Sequence, residues 1–243
     1  MSARRQRQMC IRDRFNKDNV NKTIIRSYIR YYLRLPIKSE YTIDDMADDG
    51  ISVLDHLNIE NAHILGISMG GMIAQIMASS YPEKTKTFTL IASTASTPSP
   101  FNGPSKDVRR LFIERTKNVD ANIEDRVKRT KKLFKLIGYQ GIDLDTQEFS
   151  DNVKLSIERG GVDDTGFGRQ LTAILGSKNR IEKVRSISAP TLIIHGKEDP
   201  LIGVKNAYRS NKLIKGSKLV IIDNMRHLIE PPVFDQFKSD LLA

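Results

Sequence analysis

The sequence predicts an α/β protein, a mostly parallel sheet with flanking helices interrupted by an all-helical insertion. Three observations carry this. Apolar runs around 64–67, 87–92, 189–196 and 218–223 have strand length, and helix-period segments separate them, an order that implies parallel pairing through crossovers. A polar, Pro-rich stretch at 93–105 divides the chain. Beyond it, residues 106–180 carry only helical periodicity before the strand pattern resumes.

The chain has 243 residues, of which 39% are hydrophobic, enough for one large domain core with an insertion. Its runs of apolar residues are all shorter than the roughly 18 needed to span a bilayer, and the N-terminus has no apolar signal region, so no membrane role is expected. A single cysteine, Cys10, has no internal disulfide partner, which fits a reducing compartment and an expected cytoplasmic location.

The net charge of +10 is unevenly placed. Residues 1–14 hold five arginines against one aspartate, residues 106–135 hold eleven Lys/Arg against five Asp/Glu, and the remainder balances. No aromatic side chains interleave the basic residues of 126–132, so the excess predicts a solvated helix face and not a nucleic-acid platform.

Taken in order, residues 1–40 form an atypical N-terminal segment. Residues 1–14 carry neither periodicity nor turn logic and resemble foreign sequence. Ile25, Tyr28, Ile29, Tyr32 and Leu33 then recur at helical spacing up to Pro36. Thr42 is placed to cap a helix over 43–57, with Asp44 and Asp45 in its first turn and Ile43, Met46, Ala47, Leu54 and Leu57 on its buried side. A strand at 62–67 leads into a helix over 69–81 that stops before Pro82.

Residues 87–92 read as the next strand. Apolar stripes at Val108/Leu111/Phe112, Ile123/Val127/Thr130/Phe134/Ile137, Phe149/Val153/Ile157 (closed by Gly160 and Gly161) and Leu171/Ile174/Leu175 predict four helices, a cap over 99–185. Residues 41–98 and 186–243 form the expected core. Its second part contributes a buried strand at 189–196, a helix near 203–214, a strand at 218–223 and a last helix from Pro231-Pro232 with Phe234, Phe237 and Leu241 inward.

Gly66-Ile67-Ser68-Met69-Gly70 fits the G-x-S-x-G nucleophile elbow, which lifts a serine hydroxyl above a sheet on a strained strand-to-helix turn. Gly66 and Gly70 are expected because a Cβ on either side would collide with a neighbouring strand or helix. The serine also opens a helix, whose free N–H groups favour developing negative charge.

A serine nucleophile needs a base, and the base needs a carboxylate to orient it. In this architecture the order is Ser, then acid, then His, each beyond a strand's C-terminal end. His56 falls inside a helix, His63 opens the elbow strand at the wrong end, and His195 lies within the strand before the acid, which leaves His227. Asp199 follows the 189–196 strand and is the leading acid, with Glu198 beside it as rival and Asp223 and Glu230 weaker.

These residues carry a resemblance. Tyr41-Thr42-Ile43-Asp44-Asp45-Met46-Ala47, the stretch from Gly66 to Gln75, Ala189-Pro190-Thr191-Leu192-Ile193-Ile194-His195-Gly196 with Asp199-Pro200-Leu201, and His227-Leu228-Ile229-Glu230-Pro231 are similar to the α/β-hydrolase superfamily, nearest its aclacinomycin methylesterase-like bacterial members. Residues 168–175 resemble the end of that group's cap.

The resemblance implies Ser68 as nucleophile, Asp199 as acid, His227 as base and the Met69 N–H as an oxyanion donor. It implies a small-molecule ester or acyl substrate, no cofactor and no metal, and leaves the oligomeric state open. Where that group has Gly-Met-Gly-His, this chain has Asn224-Met225-Arg226-His227, so Arg226 either lowers the basicity of the histidine or points to solvent.

The group's opening strands and its His-Gly loop, which supplies a second oxyanion donor, have no counterpart before residue 41. The chain is therefore expected to be an N-terminally truncated reading, with its elbow strand at an exposed sheet edge, weak catalysis and a tendency to aggregate. The functional expectation is a serine hydrolase. The alternatives are a non-catalytic binding protein on the same fold, with the basic 106–135 helices facing an acidic partner, or a perhydrolase or C–C hydrolase using the same triad.

Overall fold

A computed structural model describes residues 17–97, 103–117, 122–160 and 165–242. The 1–14 segment and Gly161, both singled out in the sequence, lie outside them. The elements run α1 (Lys17–Tyr32), α2 (Ile43–His56), β1 (Ala62–Ile67), α3 (Met69–Ser80), β2 (Thr85–Ile91), α4 (Lys106–Lys117), α5 (Ile123–Ile137), α6 (Gln147–Gly160) and α7 (Thr165–Leu175). They continue with α8 (Ile181–Arg185), β3 (Thr191–Gly196), α9 (Lys205–Leu213), β4 (Lys218–Ile222), α10 (Pro231–Phe234) and α11 (Lys238–Leu242).

The four strands form one parallel sheet in the order β1-β2-β3-β4. Parallel pairing puts every strand's C-terminal end on the same rim, so the loops after β1, β3 and β4 open onto one side. Period-2 alternation sends Ile64, Phe88, Leu90 and Ile193 to one face, where α2 and α3 supply Ile43, Ala47, Ile51, Met72 and Ile76. Ile91, Ile194 and Ile222 face the other side against Met225, Val233 and Phe237. That second layer covers β3 and β4. On β1 the same face leaves Leu65 and Ile67 exposed, and among the described residues β1 is an edge strand of the sheet, as expected from the sequence.

Thr42 caps α2 as predicted: its hydroxyl accepts from the Asp45 N–H, and the Asp45 carboxylate accepts from the Thr42 N–H at 2.9 Å, a reciprocal capping box. Three sequence expectations need correction. Leu57 is the C-terminal cap of α2 and is exposed, while Ile51 takes the buried position. The last helix breaks into α10 and α11, which turns Phe234 outward while Val233 and Phe237 are fully buried. A short helix, α8, lies between α7 and β3 in addition to the four expected.

The helix expected before Pro36 is α1, whose packing the sequence left open. Its stripe Ile25/Ile29/Leu33 points to solvent, and Ser27, Tyr28 and Tyr31 face inward. The helix packs mainly on α7 and α4, and its inner face forms part of a cavity wall.

Candidate active site

β1 ends in the sharp turn foreseen from the sequence. Ser68 has φ 54° and ψ −119°, a left-handed conformation that a non-glycine residue adopts only when its surroundings enforce it. Two bonds do so, one from the neighbouring strand and one from the residues just beyond it. The Ser68 N–H donates to the Ile91 carbonyl at 3.0 Å, and the Ser93 hydroxyl donates to the Ser68 carbonyl at 2.7 Å. Met69 opens α3, so its N–H has no acceptor within the helix.

The glycines divide. A Cβ on Gly66 would stand 2.4 Å from the Gly70 carbonyl oxygen and 2.7 Å from the Gly71 Cα, so strand and helix meet only because that atom is missing. A Cβ on Gly70 meets nothing within 4 Å, which corrects the expectation that both flanks exclude a side chain. The position that does so is Gly71, where a Cβ would lie 2.6 Å from the Ser93 Cβ. Gly66→Ala is therefore expected to cost about 3 kcal/mol or more. Gly70→Ala should be neutral or gain up to about 1 kcal/mol from helix propensity. Thermal denaturation of the two variants checks the contrast.

Asp199 sits in the turn after β3, nearly fully buried. Its Oδ1 accepts from the N–H groups of Leu201 and Ile202, both at 2.8 Å, which closes the turn and aims Oδ2 toward His227. Glu198, the rival acid, is exposed and faces Arg226 at 3.9 Å. Asp223 pairs with Lys197 at 2.8 Å, and Glu230 accepts from the Tyr139 N–H at 2.9 Å.

His227 lies beyond β4 in a loop that crosses the end of β3. A Cβ on Gly196 would be 2.2 Å from the Met225 and Arg226 carbonyl oxygens, so this crossing needs glycine there. The insertion fixes the loop from above. The Ile137 carbonyl at the end of α5 accepts from the His227 N–H at 2.8 Å and the Leu228 N–H at 3.3 Å. Arg226 reaches the same helix end: its Nη1 donates to the Leu136 carbonyl at 2.6 Å. A helix end with spare carbonyls thus finds its partners in the His227 loop. Residues 224–228 alone carry no sign of this pairing, since its other half lies 90 positions away.

The predicted residues Ser68, Asp199 and His227 converge. His227 Nδ1 is 2.7 Å from Asp199 Oδ2, and His227 Nε2 is 2.9 Å from Ser68 Oγ. An ionised carboxylate only accepts, so Nδ1 carries the proton and Nε2 presents its lone pair to the serine hydroxyl. His56 and His63 are remote, with His63 bonded to Thr87 at 2.8 Å.

His195 is the residue whose place the sequence underestimated. It is buried, its Nε2 donates to the Ile202 carbonyl at 2.7 Å, and Asp199 Oδ2 lies 3.5 Å away. Burial holds its pKa below the ordinary value, against smaller opposing effects from the Ile202 carbonyl and Asp199. The unfolded chain therefore takes up the proton more readily than the folded one. The stability linked to this group is present above about pH 6.5 and is lost as pH falls below it. The melting temperature should drop on acidification from pH 7 to 5, and His195→Asn should flatten that slope relative to the parent.

Ser68 and His227 open into a cavity of about 550 Å³ between the sheet's rim and the helices of 106–185, with α1 as one wall. Met69, Met72, Phe112 and Phe167 supply apolar surface. Phe112 and Phe167 pack edge to face at 5.3 Å. Among the described residues, no group of three or more His, Cys, Asp or Glu could hold a metal ion, and no helix is long and apolar enough to cross a membrane.

Comparison with known proteins adds to this geometry. A family model described as "alpha/beta hydrolase fold" matches residues 21–229. Rhodomycin D methylesterase DnrP of Streptomyces peucetius is 24% identical over 221 residues, covering 84% of this chain and 73% of that protein. The AB hydrolase superfamily protein YisY of Bacillus subtilis is 29% identical over 191 residues, covering 77% and 67%. Among solved structures, the meta-cleavage product hydrolase CumD of Pseudomonas fluorescens has the same fold, with a TM-score of 0.67 at 22% identity over 85% of this chain and 72% of that one.

Proposed function

This chain belongs to the alpha/beta hydrolase fold family, and from that premise we propose that it is a serine hydrolase acting on a carboxylic ester or a related acyl compound. The observation that carries the reading is the unbroken hydrogen-bond chain from the Asp199 carboxylate through His227 to the Ser68 hydroxyl, at the mouth of an apolar cavity. The relationship to a methylesterase favours an ester over other acyl bonds.

In the reaction, Ser68 Oγ attacks the carbonyl carbon while its proton passes to His227 Nε2. The imidazolium is held by its Nδ1–H on Asp199 Oδ2, and the oxyanion turns toward the Met69 N–H. The proton on Nε2 then goes to the leaving alcohol as the C–O bond breaks, leaving an acyl-serine. Water attacks that ester with His227 again as base, which releases the acid and restores the hydroxyl.

A fluorophosphonate probe tests the reading directly. Labelling at Ser68, verified by peptide mass and abolished in His227→Ala, is the expected result. A chain that binds small esters yet leaves Ser68 unlabelled would be a binding protein on a hydrolase fold.

A further inference from the structure

Among the described residues, the loop that carries His227 meets the C-terminal end of α5 at four hydrogen bonds. Two run from the His227 and Leu228 N–H groups to the Ile137 carbonyl, at 2.8 and 3.3 Å. A third runs from Arg226 Nη1 to the Leu136 carbonyl at 2.6 Å, and a fourth from the Tyr139 N–H to Glu230 Oε1 at 2.9 Å. Arg226 and Glu230 thus grip the helix end on either side of Ile137, one through a carbonyl and the other through an N–H.

Each grip suits its partner. The last carbonyls of a helix have no acceptor role within it and carry the negative end of its dipole, so a guanidinium is a favourable cap there. Its bond is charge-assisted and stronger than the neutral ones beside it. Glu230 can seat against the helix end because residue 138 has no side chain: a Cβ on Gly138 would stand 2.6 Å from Glu230 Oε1. Glu198 is exposed and 3.9 Å from Arg226 Nε, so the short bond of this guanidinium is the one to Leu136.

The helix so gripped also borders the ligand space. It packs mainly on α4 and α6 within the insertion, and its Leu133 and Ile137 line the cavity. Ile137 is buried. One residue therefore contributes to the cavity wall and, through its carbonyl, holds the main chain of the base.

We propose that Arg226 and Glu230 are positioning residues for His227: by gripping the end of α5 they fix the Ile137 carbonyl, which in turn fixes the imidazole between Asp199 and Ser68. This rests on the serine-hydrolase reading of the same site. The two side chains act through main-chain bonds and not on the reacting atoms. The helical insertion then belongs to the catalytic framework, because a displaced α5 end takes the base with it. A displacement of about 1 Å costs on the order of a hundredfold in rate.

The test measures single-turnover acylation by 4-nitrophenyl butyrate, per site counted with a fluorophosphonate so that unfolded chains drop out. Arg226→Met and Glu230→Met, which remove the grips, should each slow acylation by about tenfold to a hundredfold. Arg226→Lys still offers a cationic donor to Leu136, and Glu230→Gln still offers an acceptor to Tyr139, so each should recover most of the parent rate. If Arg226→Met fails to fold, Glu230→Met against Glu230→Gln decides alone.

Methionine variants that react at the parent rate overturn the inference and leave the hydrolase reading standing, as do conservative variants no faster than the methionine ones. If the parent neither labels nor hydrolyses, that reading has failed by itself, and proton NMR decides the positioning. The His227 Nδ1–H bonded to Asp199 is followed by its downfield resonance, identified by its loss in Asp199→Ala. A resonance that shifts or vanishes in Arg226→Met and returns in Arg226→Lys upholds the inference, and one unchanged in both methionine variants ends it.

Discussion

Ser68→Ala is expected to lower kcat for a small activated ester by about a millionfold, to the level that binding and the oxyanion site sustain without a nucleophile. Single-turnover kinetics on purified protein, with fluorophosphonate titration to count parent active sites, would measure it. The fold should survive the change. Alanine and serine meet the same steric demand at φ 54°, and the bonds that hold this turn come from the backbone of residue 68 and from Ser93. A melting temperature within a few degrees of the parent would therefore accompany the loss. A variant that kept a hundredth of the activity would place the nucleophile elsewhere.

Asp199→Asn should cost about ten thousandfold in kcat. The asparagine Oδ1 can still accept from the Leu201 and Ile202 N–H groups, so the turn persists. Its amide NH₂ then occupies the place of Oδ2 and donates to His227 Nδ1. The imidazole is driven to the tautomer with its proton on Nε2, facing Ser68 with a donor where an acceptor is needed. Glu198→Gln, by contrast, should leave kcat within about twofold, because that carboxylate is exposed and faces Arg226. If Glu198→Gln were the crippling change, the acid would have been misassigned.

Local chemistry made much of this molecule legible in its sequence. The capping box at Thr42 and Asp45 joins residues three apart, and the elbow from Gly66 to Gly70 is continuous, so each shows its logic in a few positions. The strands stand out because both faces of a parallel sheet are covered, giving the short apolar runs at 189–196 and 218–223.

What could not be read was decided at long range. Helix α1 has two faces of adequate spacing, and only the position of α7 and the cavity selects Ser27, Tyr28 and Tyr31 over Ile25 and Ile29. Adjacent carboxylates at 198 and 199 differ in role because one closes a turn with two backbone donors. The stapling of the His227 loop to Ile137 joins distant segments, and neither shows an irregularity in sequence.

The position of β1 has a mechanical corollary. A strand bonded, among the described residues, along one flank behaves as a cantilever, and here it carries the Ser68 hydroxyl at its tip while His227 stands on the loop after β4 that crosses the end of β3 and is clamped to Ile137. The lateral stiffness of the Ser68 tip therefore comes from few attachments, chiefly the grip of Ile91 and Ser93 on its main chain. A misplacement of about 1 Å between reacting groups costs on the order of a hundredfold. Alignment in this enzyme is thus a load borne by side chains such as Ser93, which itself takes no part in the chemistry.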